Sequence, residues 1–110
     1  MNYFEKKQGE SLAFTKGLLI DGVAQDFTTG WTCRMQVKSK QGGLSSLPLI
    51  DKAISELNTD SDRFVCRITP AEMAGLSEGK YTVITELENT TLGVNKEIHD
   101  RLIVQQQGIS

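Results

Sequence analysis

Trp31-Thr32-Cys33-Arg34-Met35-Gln36-Val37-Lys38 alternates apolar and polar residues without a fault over eight positions. Successive side chains of an extended chain point to opposite faces. Trp31, Cys33, Met35 and Val37 therefore share one face, and Thr32, Arg34, Gln36 and Lys38 share the other. The stretch predicts a strand with a dry side and a wet side, and so a sheet packed on a core. The same pattern recurs elsewhere. Phe64, Cys66 and Ile68 alternate with Arg63, Val65 and Arg67, Leu12 and Phe14 share a face, and Tyr81, Val83 and Leu87 lie on one side of a third run.

Turn signals separate these runs. Asp21-Gly22 is a strong hairpin dipeptide, Thr28-Thr29-Gly30 is a second break, and Lys40-Gln41-Gly42-Gly43 ends the Trp31 strand. Asn58-Thr59-Asp60-Ser61-Asp62 and Asn89-Thr90-Thr91-Leu92-Gly93 are further turns. Tyr3 and Phe4 mark a short edge strand between Asn2 and Lys7. Thr69-Pro70-Ala71-Glu72 predicts a helix start, with Thr69 as cap, Pro70 at the first helical position and Glu72 three residues after the cap. That helix is short: Met73 and Leu76 face the core before Ser77-Glu78-Gly79 stops it. A last pair of extended segments is expected at about Val94 to Ile98 and Leu102 to Gln106.

Leu44 to Leu57 admits two readings. Ile50, Ala53, Ile54 and Leu57 suit a helical face begun near Pro48, whereas a strand from Ala53 to Leu57 paired with Phe64 to Ile68 makes a hairpin. The hairpin is preferred. Seven or eight short strands then follow one another at roughly 8 to 15 residue intervals, which predicts an all-β antiparallel sandwich or barrel. One domain over residues 1–106 is expected, with 107–110 as a polar tail.

Composition narrows the chemistry. Hydrophobic residues are 38% of 110 and charged residues 24%, which suits a globule with its own core. Net charge is −2 and the basic residues are scattered, so no stripe for nucleic acid forms. The longest apolar run, Gly17-Leu18-Leu19-Ile20, is far short of a membrane span, and Met1 to Lys7 does not read as a secretory signal. The cytoplasm of a host cell is the expected location, or the virion. Cys33 and Cys66 form no CxxC pair and no cluster with the sole histidine, His99, so no zinc site is expected; two buried free thiols are the preferred reading, and a disulfide between facing strands is the alternative.

Catalytic candidates are thin. His99 reads as an exposed or turn residue, and Asp100 beside it makes no dyad because neighbouring strand side chains point apart. Cys33 and Cys66 sit on the expected core face, where a thiol is inert. The 58–62 run offers alternate oxygens, but Arg63 stands where a calcium loop needs glycine and Thr69 where it needs glutamate. Gly42-Gly43 lacks phosphate-loop spacing, and Asn89-Thr90-Thr91 matches a glycosylation acceptor without a secretory context. Trp31 reads as a core anchor rather than a ligand platform. No catalytic, cofactor-binding or metal-binding residue is expected, and no cofactor.

Leu76, Gly79 and Tyr81 at a strand entrance look like the tyrosine corner of immunoglobulin-like sandwiches, in which the hydroxyl bonds nearby backbone. Taken with Lys7-Gln8-Gly9-Glu10 before Leu12-Ala13-Phe14, with Asp21 to Trp31, and with Leu76-Ser77-Glu78-Gly79-Lys80-Tyr81, the chain resembles small phage and prophage proteins. These are similar to the N-terminal immunoglobulin-like modules of baseplate and tail-fibre proteins. The chain departs from the pattern in its extra residue at Thr28-Thr29-Gly30 and in its long Leu44 to Leu57 segment. The resemblance implies a non-enzymatic structural module that docks other virion proteins, or copies of itself, through sheet edges or loops. Lys6-Lys7 and Arg63 with Arg67 are the charged edge candidates. The rival expectation is a small bacterial or mobile-element binding or inhibitory module that recognises a protein through Lys40 to Leu47.

Overall fold

The alternation that begins at Trp31 becomes strand β5, Thr32–Ser39, with Cys33, Met35 and Val37 buried and Thr32 and Arg34 exposed. The computed structural model describes residues 3–39 and 47–105. Around β5 stand β1 (Tyr3–Lys7), β2 (Leu12–Lys16), β3 (Leu19–Ile20), β4 (Val23–Ala24), β6 (Ile50–Ile54), β7 (Phe64–Ile68), helix α1 (Pro70–Ala74), β8 (Gly79–Asn89) and β9 (Val94–Gln105). The described residues are mostly β, with one short helix.

A five-stranded sheet has the order β1-β9-β8-β5-β6. Its β5–β6, β5–β8 and β8–β9 pairs are antiparallel, while β1 runs parallel to β9. The sheet is therefore mixed, not antiparallel throughout as expected. A parallel pair needs a long crossover, and the whole intervening chain provides one. β2 and β7 form a separate antiparallel pair. β3 and β4 form a small hairpin whose turn residues, Asp21 and Gly22, have φ of 50° and 79°. Positive φ at both central residues is what the Asp-Gly dipeptide supplies.

Side chains from both sheets meet in one core. Leu12, Cys66 and Ile68 of the small sheet pack with Met35, Val37, Tyr81, Val83, Leu102 and Val104 of the large one, and Met73 and Leu76 close the same cluster from around α1. A second cluster holds Phe27, Cys33, Phe64 and Leu87, with Trp31 half-buried against it. Trp31 meets Phe27 edge-on at 5.2 Å between centroids, so it anchors the core just ahead of β5. α1 starts on the expected capping box: Glu72 N–H donates to Thr69 Oγ1 at 3.1 Å, and Thr69 N–H donates to Glu72 Oε1 at 2.9 Å.

Three expectations change. The described part of the Leu44 to Leu57 segment is not helical, and its hairpin shrinks to one bridge, Leu57 with Phe64, flanked by Val65 N–H donating to Glu56 O and Asn58 N–H donating to Arg63 O. β6 turns instead to β5, where Ile50 lies opposite Val37 and Ile54 opposite Cys33. The last two segments are one strand, β9, which runs through His99-Asp100-Arg101 because Asp100 has an ion-pair partner inside. Nine strands result among the described residues, two of them only two residues long. The tail 107–110, Gly42-Gly43 and Lys40 to Ser46 lie outside the described residues.

Candidate functional site

Strand alternation puts Lys16 on the face of Leu12 and Phe14, and puts Asp100 on the inner face of β9 opposite Val83. The two meet between the sheets, with Lys16 Nζ 2.6 Å from Asp100 Oδ2 and side-chain exposures of 9% and 1%. Lys16 Nζ also lies 5.7 Å from the centroid of Phe14. Burying two ions costs several kcal/mol each, and close geometry is what offsets it. The pair thus ties β2 to β9 across the core. At 1% exposure the carboxylate is enclosed between the sheets, where the pair serves as a structural tie.

Cys33 and Cys66 are both free and buried. Their thiols are hydrogen-bonding neighbours across the two sheets, and that bond, then burial, pushes the Cys33 thiol up and keeps its proton on. His99 lies on the opposite face of β9 from Asp100, with Nε2 2.6 Å from Glu97 Oε1 and a side chain 38% exposed. It is brought to neither cysteine cluster nor Asp100. Asn58 Nδ2 donates to Asp62 Oδ1 at 2.9 Å, and Arg63 N–H donates to Asn58 Oδ1 at 3.1 Å, so these two side-chain oxygens serve their own turn. Among the described residues, no group of three or more His, Cys, Asp or Glu is placed to hold a metal ion. Asn89 is buried and its Oδ1 accepts from Leu92 N–H at 3.0 Å, which closes the β8–β9 turn.

Tyr81 behaves as the sequence predicts. Its ring is buried in the first cluster and its hydroxyl donates to Ser77 O at 2.5 Å. Burial pushes the phenol up, against the opposing pull of the Ser77 bond. On the wet face of β5, Arg34 binds Asp51 at 2.6 Å and its guanidinium holds that carboxyl below the usual range. Arg34, Gln36, Ile84, Glu86 and Glu97 line a small depression there.

The sheet edges differ sharply in how they are closed. On β1, Lys7 N–H donates to Glu10 Oε1 at 2.6 Å, and Glu5, Lys6 and Lys7 add charge. β6 is entered through Pro48, and its Asp51 and Lys52 are held by Arg34 and Glu72. β7 is met by Glu56, through the Val65 N–H and through Arg67 at 2.7 and 2.9 Å. The only charge on β2, Lys16, is turned inside to Asp100, no contact of this kind covers the strand among the described residues, and Ala13 and Thr15 are exposed along it. Sequence reasoning named the charged edges and missed this bare one. Small uncharged residues at Ala13 and Thr15 are the only local signal, and they mean little until the sheet order is known.

No family model matches the chain, and no curated protein matches it. Among solved structures, it is similar to an uncharacterized protein from Bacillus anthracis str. Ames, at 13% identity over 96% of this chain and 84% of that one, with a TM-score of 0.46. No helix among the described residues is long and apolar enough to cross a membrane.

Proposed function

We propose that this chain is a non-enzymatic structural module of a phage or prophage, associated with the tail or baseplate, built as an immunoglobulin-like sandwich and working by protein docking. The order β1-β9-β8-β5-β6 facing β2-β7, with Tyr81 tied to the Ser77 carbonyl, supports the immunoglobulin-like reading. The observation that carries docking is the contrast among edges: β1, β6 and β7 are charged, capped or engaged, and β2 is bare. A bare strand edge is a template for another chain.

The test is mass spectrometry of purified tail particles from the phage or induced prophage that encodes the chain. A fixed copy number per particle is expected. Absence from intact particles, while the chain is present in the producing cell, overturns the reading.

A second reading has its own observation. Leu47 and Leu49 are 87% and 58% exposed beside the 40–46 segment, which favours a small bacterial or mobile-element module that binds or inhibits a protein there. Leu47→Ser with Leu49→Ser would then abolish capture of that protein and leave particle assembly unchanged.

A further inference from the structure

We propose that the free edge of β2 pairs antiparallel with β2 of a second copy, joining two small sheets into one of four strands. The argument starts from which backbone groups point outward. In an antiparallel ladder a residue's N–H and C=O point to the same side, and the side alternates along the strand. Val65 N–H donates to Glu56 O at 2.8 Å, and Arg63 O accepts from Asn58 N–H at 3.0 Å. Both groups therefore point away from β2. Phe64, Cys66 and Ile68 then point toward it and bond Lys16, Phe14 and Leu12, their register partners. Ala13 and Thr15, opposite Arg67 and Val65, are left with N–H and C=O directed to the open side.

That edge is self-complementary. A two-fold axis at Phe14 sets Ala13 against Thr15 of the second copy, and Thr15 against Ala13. Residues with outward groups thus face residues with outward groups, as a hydrogen-bonded pair requires. The exposed side chains that meet are small and neutral, so no like charges oppose one another. Lys16, the only charge on β2, is committed to Asp100 inside. The remaining ring is at the axis: Phe14 is half-buried and stacked on Phe4 at 4.9 Å. A second Phe14 would complete its cover. β1 cannot pair in this way at its Lys7 end, because Glu10 already occupies that N–H.

The proposal rests on the docking reading and names one occupant for its bare edge. Sedimentation of the full chain from micromolar to near-millimolar concentration, with residue-resolved amide exchange, tests it. A monomer–dimer equilibrium is expected, with exchange at Ala13 and Thr15 slowing as concentration rises and exchange at Phe14 and Lys16 unchanged. Thr15→Pro removes an outward N–H that the native ladder does not use, and should leave a folded monomer at every concentration. Ala13→Lys with Thr15→Lys sets lysines against lysines across the axis and should do the same, should the proline variant fail to fold. A wild-type monomer at the highest concentration, a dimer with unslowed Ala13 and Thr15 amides, or a dimer that survives either folded variant overturns the pairing. Copies present in tail particles with a monomer in solution overturn this pairing alone, while a dimer absent from particles overturns the tail reading alone.

Discussion

Two ion pairs of nearly equal length each draw one partner from the small sheet, Lys16 from β2 and Arg67 from β7, and do opposite work. Lys16–Asp100 at 2.6 Å is sealed between the sheets, while Arg67–Glu56 at 2.7 Å has side chains 55% and 48% exposed. Water screens the second pair and can replace either partner; burial keeps water from replacing a partner of the first. Between them lies Lys52–Glu72 at 2.8 Å, with exposures of 26% and 30%, which also belongs to the capping box of α1. The series shows that the surroundings of an ion pair, not its length, set what it contributes.

The sharpest way to break the comparison is to strand one buried charge. Asp100→Ala should cost about 3–5 kcal/mol, read by denaturant unfolding, because Lys16 is left unpaired in the core. Lys16→Met with Asp100→Leu should recover most of that loss, since an apolar pair needs no compensation. A double variant as unstable as the single one would show that the loss does not come from the stranded lysine.

Glu72→Ala should cost about 1 kcal/mol, the usual worth of a cap. Burial pushes the Glu72 carboxyl up, but the Lys52 and Thr69 contacts outweigh it and hold it low. A lowered native value means that its stabilisation is full above the ordinary carboxylate range and is lost as pH falls through the native value. Glu72→Gln should therefore flatten the acid side of a stability profile, and an unchanged acid limb would refute the assignment.

Tyr81 gives the alkaline counterpart. Its raised native value keeps the phenol protonated in the fold, so its contribution is full below the ordinary tyrosine range and is lost as pH rises beyond it. Tyr81→Phe should remove the alkaline decline at a small constant cost from the Ser77 bond, and calorimetry across pH 8 to 11 would check this (about the range of tyrosine titration). Smallest of all, Arg67→Ala should leave the melting temperature unchanged within error. A clear drop would mean that the exposed pair is no longer a fair contrast to the buried one.

Much of the fold was legible because its signals are local. Alternation at Thr32–Ser39 and Phe64–Ile68, the Asp21-Gly22 turn, the Thr69 to Glu72 cap and the Tyr81 hydroxyl each depend on residues within a few positions. In the Leu44 to Leu57 segment the preferred hairpin misplaced the strand and its partner, because the Asn58 to Asp62 turn signals a reversal there but not that Ile50–Ile54 pairs with β5 instead. His99-Asp100-Arg101 misled because a charged triplet normally marks a turn, and its burial was stabilised by Lys16, 84 positions away in the chain (from 16 to 100).

What the sequence by itself determined, then, is the strand character of most segments, which side of each is dry, and most of the turns. Those follow from the two-residue period of an extended chain and from backbone chemistry at turns. Which strands pair, that Lys16 finds Asp100, and that β2 keeps an open side among the described residues were decided only in three dimensions. Pairing compares whole surfaces from distant parts of the chain, and a residue's local pattern does not record what will come to lie opposite it.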